Sequence, residues 1–128
     1  MARHASSQPT EVELQILRIL WNDGPSIARH IHDSLQAFKQ TTYSTTVKML
    51  SVMMEKGLLK RDDDAKPQVY RAAVPQQRTQ KQMLSDLIDK VYDGSAAALM
   101  LHALSSKKAT TEELREIRDM LDQLEEGA

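Results

Sequence analysis

The chain has 128 residues, of which 41% are apolar and 27% charged, with a net charge of −1 and no cysteine. That composition suits one globular domain, or a small domain joined to an assembly module. It excludes disulfides and thiolate metal sites, and no apolar stretch approaches the ~18 residues that span a bilayer.

The opening MARHASSQPTEVE has no apolar run of the kind that marks a secretory signal, so a cytoplasmic protein with a flexible N-terminus over residues 1–9 is expected. Thr10 and Glu13 then have the spacing of a capping box, with Pro9 just before them. Leu14, Leu17, Leu20 and Trp21 recur at helical intervals until Asn22-Asp23-Gly24-Pro25 stops the run. Ser26 is expected to open a second helix, with Ile27, Ile31 and Leu35 one turn apart. A loop around Ala37–Gln40 leads into TTYSTTVKMLSVMMEKGLLKR, whose first six positions hold five hydroxyl residues and a tyrosine. One hydroxyl residue makes a good helix cap, but five are more than a cap requires. From there Thr46, Leu50 and Met53 share a helical face with Met49, and Lys56-Gly57 ends the helix, glycine being favoured in the left-handed conformation at a C-terminus.

Beyond Gly57 the period changes to two. Leu58–Arg61 reads as a short strand, Asp62–Lys66 as an acidic turn, and Gln68–Val74 as a second strand. Three short helices followed by a two-stranded hairpin is the order of a winged helix-turn-helix, with the acidic turn as its wing. Pro75 begins a different kind of chain. Met83, Leu84, Leu87, Ile88 and Val91 form one apolar stripe on a helix closed by Gly94, and Ser95 can cap the following AAALMLHAL. Thr110 with Glu113 makes another capping box, after which Leu114, Ile117, Leu121 and Leu124 repeat with coiled-coil-like spacing. A domain below ~60 residues is marginal, so these helices cannot bury all their stripes alone. A homodimer is the simplest remedy, with Met83, Leu87, Val91, Leu114, Ile117, Leu121 and Leu124 as its interface. The expected fold is therefore mainly α with a small β-hairpin. Residues 10–74 are expected to make the winged helix-turn-helix and residues 75–128 a helical dimerisation domain.

Charge adds little. Residues 1–74 carry 10 Lys/Arg against 8 Asp/Glu and residues 75–128 carry 7 against 10, an asymmetry in the direction a DNA-reading first half requires. Chemistry adds more. In a helix-turn-helix the start of the second motif helix enters the major groove, where Ser and Thr hydroxyls can reach base edges and a Thr methyl can pack on thymine. Free N–H groups at that helix start also attract phosphate. Thr42, Tyr43, Ser44, Thr45, Lys48 and Ser51 are the residues placed to do this, and Arg61 and Arg71 on the hairpin are phosphate candidates. Asp62–Asp64 should repel DNA if held close to it. The plainer reading of the cluster is a capped, solvated helix start. No metal site is expected, since His30 and His32 do not share a helical face and cysteine is absent. The methionines read as core filler. No nucleophile elbow, phosphate loop or paired carboxylates mark an enzyme, and no cofactor is expected.

The segments PTEVELQILRILW, SIARHIHDSL, YSTTVKML, MMEKGLLKR, VYRAAV and VYDGSAAALMLHALS, with TTEELREIRDML at the end, together resemble the penicillinase-repressor family of bacterial transcription repressors (BlaI/MecI/CopY type). The resemblance runs from about Pro9 to Leu124 and rests on the order and spacing of these segments. It implies a winged-helix DNA-binding domain and a helical dimerisation domain, binding double-stranded DNA at inverted-repeat operators and blocking transcription. In the penicillinase branch it also implies relief by an inducer-linked protease, which cuts an Asn–Phe bond in the C-terminal domain. The matching bond here is His102–Ala103, a departure from that pattern. The cysteine-rich tail of the copper-responsive branch has no counterpart. The alternative is a winged-helix protein-interaction module without DNA binding, favoured by the near-neutral charge and the acidic turn.

Overall fold

A computed structural model of the chain describes residues 8–127, so the flexible N-terminus expected over residues 1–9 lies outside it except for Gln8 and Pro9. Helix α1 spans Glu11–Asp23 and begins at the expected capping box: Thr10 Oγ1 accepts from the Glu13 N–H, and Glu13 Oε1 accepts from the Thr10 N–H at 2.9 Å. Gly24, at φ 80°, ends it with its N–H donating to the Leu20 carbonyl. Here the expectation for Ser26 needs correction. Ser26–Ile27 forms a two-residue strand, β1, and helix α2 begins only at Ala28 and runs to Leu35. The Ser26 side chain is buried and donates to the Gly24 carbonyl at 2.8 Å, while its backbone pairs with Tyr70. A strand of two residues is too short to carry a period of two, so the local signal for a cap hid a long-range pairing.

Helix α3 spans Tyr43–Glu55 and closes with two hydrogen bonds that stack on Gly57 at φ 81°. The Gly57 N–H reaches the Met54 carbonyl and the Leu58 N–H reaches the Met53 carbonyl, the Schellman arrangement, in which the residue after the glycine packs back as an apolar plug. Leu58 is that plug and is buried, which is why strand β2 starts at Leu59 rather than Leu58 and runs to Asp62. Strand β3 covers Val69–Ala72, shorter than the expected Gln68–Val74. The sheet has three antiparallel strands in the order β1-β3-β2, so the expected two-stranded hairpin gains a third member from the far side of α2.

The core gathers Ile16, Leu17 and Leu20 of α1, Ile31 and Leu35 of α2, Leu50 and Met53 of α3, and Leu58, Leu59 and Tyr70. Ile16 is fully buried although Leu14 and Trp21, expected on the core stripe, are only half-buried. Trp21 lies at the margin because its indole N–H donates to the Val74 carbonyl at 2.9 Å, tying α1 to the chain after β3. A second tie was not legible in sequence. The Lys56 ammonium, at the end of α3, lies 2.6 Å from the largely buried Glu13 carboxylate, which also caps α1. Lys56→Met should therefore cost about 2 kcal/mol. That is below the usual loss for breaking a buried pair, because Lys56 keeps some exposure. Urea unfolding of the two proteins would measure it.

Helix α4 spans Gln76–Val91, α5 Ala96–Ser106 and α6 Thr111–Glu126. Gly94 at φ 84° and Asp93 at φ 51° make the turn after α4. Ser95 caps α5, and the Thr110–Glu113 capping box opens α6. The chain divides into two compact units inside α4: the first runs to Met83 and the second begins at Leu84. Thr79, the buried residue of α4, belongs to the first.

Candidate nucleic-acid interface

The hydroxyl cluster at the start of α3 divides by burial. Thr42 is the cap, its Oγ1 accepting from the Thr45 N–H at 3.2 Å. Thr46 is fully buried, and its hydroxyl meets His32 Nδ1 at 2.8 Å and the Thr42 carbonyl at 3.3 Å. Thr41 takes no part in capping. Its N–H donates to Gln36 Oε1, and the Gln36 amide nitrogen donates to the His32 carbonyl at 2.8 Å. Gln36 thereby stitches the end of α2 to the loop that starts α3. That stitch and the His32–Thr46 contact fix the angle between the two helices of the motif. Neither was expected from sequence, because Gln36 and His32 carry no pattern of their own.

Ser44, Thr45, Lys48 and Ser51 are left exposed, as is Tyr43, the first residue of α3. Ser44, Lys48 and Ser51 follow at intervals of one turn, and so do Thr46, Leu50 and Met53 on the buried side. Lys48 has no described carboxylate within 4.0 Å. Thr45 Oγ1 accepts from the Thr42 hydroxyl at 2.9 Å and keeps its own proton for another partner. Val52 continues the exposed face one turn beyond Lys48, an apolar surface that the polar pattern of the segment concealed. Arg29 of α2 joins this surface from a distance in sequence. Its guanidinium carbon sits 4.2 Å from the centre of the Tyr43 ring, while His32 meets the same ring edge-on at 5.5 Å.

The hairpin arginines do not form one patch. Lys60 pairs with Arg71 and Arg61 with Tyr70 across β2 and β3. Side chains alternate along a strand, so Arg61 shares a face with Leu59 and Tyr70 while Lys60 and Arg71 share the other. Arg71 borders a groove of about 440 Å³ with Leu20, Trp21, Pro25 and Val74. Arg61 donates from Nε to the Asp63 carboxylate. That carboxylate, with the Tyr70 hydroxyl second, raises the Arg61 pKa above its ordinary value. Asp62 accepts from the Asp64 N–H at 3.0 Å, so the acidic tip of the wing is partly folded on itself.

In the second unit no described residue from Leu84 onward is buried. Of the expected dimer residues there, Val91 and Leu124 are each 63% exposed, Leu87, Leu114 and Leu121 are exposed, and Ile117 is half-exposed. Met83, at the end of the first unit, is half-buried. Met100, Leu101 and Leu104 of α5 are exposed as well, and the small-residue helix gave no stripe by which to single them out. His102 and Ala103 lie within α5, both exposed. The His102 carbonyl accepts from the Ser105 and Ser106 hydroxyls, and its Nδ1 lies 3.2 Å from the Tyr92 hydroxyl. Among the described residues no group of three or more His, Asp or Glu side chains is arranged to hold a metal ion, and no helix is long and apolar enough to cross a membrane.

Comparison with known proteins places these elements in a context. A family profile described as "Penicillinase repressor" matches residues 9–123. The chain is 23% identical over 113 residues to the methicillin resistance regulatory protein MecI of Staphylococcus aureus strain N315, covering 88% of this chain and 92% of that protein. It is 22% identical over the same length to MecI of Mammaliicoccus sciuri, with the same coverage. Against a penicillinase repressor of Staphylococcus aureus it is 20% identical over 112 residues, covering 88% of this chain and 89% of that one.

Proposed function

The chain belongs to the penicillinase repressor family, whose members are transcriptional repressors, and on that premise we propose that it is a homodimeric DNA-binding repressor in which α3 reads an inverted-repeat operator. The observation that carries this reading is the division of α3 into two faces. Thr46, Leu50 and Met53 are buried, and the opposite side offers Ser44, Lys48 and Ser51 with no described acidic partner for Lys48. Hydroxyls and one free cation at the start of a helix-turn-helix reading helix are the groups that meet base edges and phosphates. Dimerisation through the second unit supplies the other half-site, and it covers apolar side chains of α4, α5 and α6 that the chain leaves exposed.

Relief of repression by cleavage at His102–Ala103 would require α5 to unwind locally, since a protease takes an extended segment and this bond lies inside the helix. The acidic wing tip favours a second reading, in which the winged helix binds a protein partner instead of DNA. DNA binding separates the two. A mobility-shift titration against the DNA upstream of the protein's own gene should show binding by the dimer, weakening steeply as salt rises, each neutralised phosphate adding ~0.9 to the log–log slope. A winged helix that binds only a protein partner would shift neither that DNA nor any other, even at low salt. Folded, dimeric protein that shifts no inverted repeat in that DNA at moderate salt would overturn the proposal.

A further inference from the structure

We infer that Arg29 is a backbone-phosphate clamp for the reading head, held in place by stacking on Tyr43. This rests on the DNA-binding reading and adds a contact on α2, one helix away from the reading surface. Arg29 is exposed, and no described carboxylate lies within 4.0 Å of it, whereas Arg61 on the wing is already held by Asp63. An exposed arginine ordinarily samples many rotamers and loses that freedom on binding. Arg29 has one observed restraint, the Tyr43 ring 4.2 Å from its guanidinium carbon. A cation–π contact leaves most of a guanidinium's five N–H donors available, and no described hydrogen bond occupies those of Arg29.

The Tyr43 ring is itself oriented. His32 meets it edge-on with an interplanar angle of 88°, and His32 is pinned by Thr46 and Gln36. The chain of contacts therefore runs from the buried face of α3, through His32, to the ring, and from the ring to the cation. Tyr43 is also the first residue of α3, so the stacked cation stands beside the helix start whose free N–H groups favour an anion. A planar fork with free donors at that position matches a phosphate diester and carries no base preference. Tyr43 becomes a positioning residue, its ring rather than its hydroxyl being the working part.

The test uses the full chain and two labelled duplexes of equal length, one from upstream of its own gene and one of scrambled sequence, in anisotropy titrations across a salt series. Arg29→Ala and Arg29→Gln should each weaken both duplexes by about 10-fold at low salt and lower the log–log salt slope by ~0.9, with an unchanged thermal midpoint. Tyr43→Leu should reproduce most of the Arg29→Ala loss without adding to it in the double variant. Wild-type slope and affinity in Arg29→Ala would overturn the clamp and leave the DNA-binding reading intact. A loss confined to the upstream duplex would overturn it too, because a phosphate contact cannot distinguish the two. Additive losses from Arg29→Ala and Tyr43→Leu would sink the stacking argument. Wild-type protein that binds neither duplex would remove the clamp together with the reading on which it stands.

Discussion

Replacing Leu121 with aspartate is expected to convert the proposed dimer to monomers and to weaken binding to its proposed operator by about 100-fold, the scale on which linking two sites raises avidity. Leu121 lies on α6 with Leu114, Ile117 and Leu124 at helical intervals, and it is 44% exposed. In a packed interface an aspartate there would be a desolvated, unpaired charge, which folded and associated states avoid at a cost of several kcal/mol. The substitution should not unfold α6, whose capping box at Thr110 and Glu113 lies more than two turns away. Sedimentation velocity would read the association state, circular dichroism the helix, and anisotropy the affinity. A dimer of unchanged stability would take α6 out of the interface and leave the exposed Met100, Leu101 and Leu104 of α5 as the surface to be covered.

The second large effect concerns which DNA is preferred. Ser44→Ala and Thr45→Ala are expected to change the ranking of bases selected from a randomised duplex pool, by ~1 kcal/mol at the affected position, the lower end for a lost base contact. Lys48→Ala should weaken all sequences alike and reduce the salt slope. Thr45→Ala keeps the capping bond, which uses the Thr45 backbone N–H, and removes only the Oγ1 that accepts from the exposed Thr42 hydroxyl. Thr42→Ala, by contrast, removes the cap itself and should cost ~1 kcal/mol of stability before any DNA is present. If Ser44→Ala, Thr45→Ala and Lys48→Ala all select and bind like the wild type, α3 is not the reading helix.

The hydroxyl-rich stretch shows how far local pattern reaches. Its length of apolar repeat and its terminal glycine marked a helix, and third in the chain is the position of the reading helix that we propose it to be. The helical period placed Thr46 on the buried face with Leu50 and Met53, as observed, but which of Thr41 and Thr42 caps could not be read off. Thr42 and Thr41 are equally good caps by type; Thr42 is the cap, while the Thr41 N–H donates to Gln36, five residues upstream of it. Thr46 is polar by composition and fully buried in fact, since His32 and the Thr42 carbonyl satisfy its hydroxyl.

Whatever depends on neighbours within a turn or two was therefore determined by the sequence alone: the capping boxes at Thr10 and Thr110, the glycine stops at Gly24, Gly57 and Gly94, and the helical stripes. These signals are backbone hydrogen bonds and side-chain periodicities, and both repeat over short distances. What joins distant segments was decided by tertiary structure. Ser26 left its expected helix to pair with Tyr70, Lys56 found Glu13, Trp21 found the Val74 carbonyl, and Arg29 came to rest on Tyr43. Each joins residues that carry no mutual pattern, and it depends on the packing of the buried faces of α1, α2 and α3 against one another.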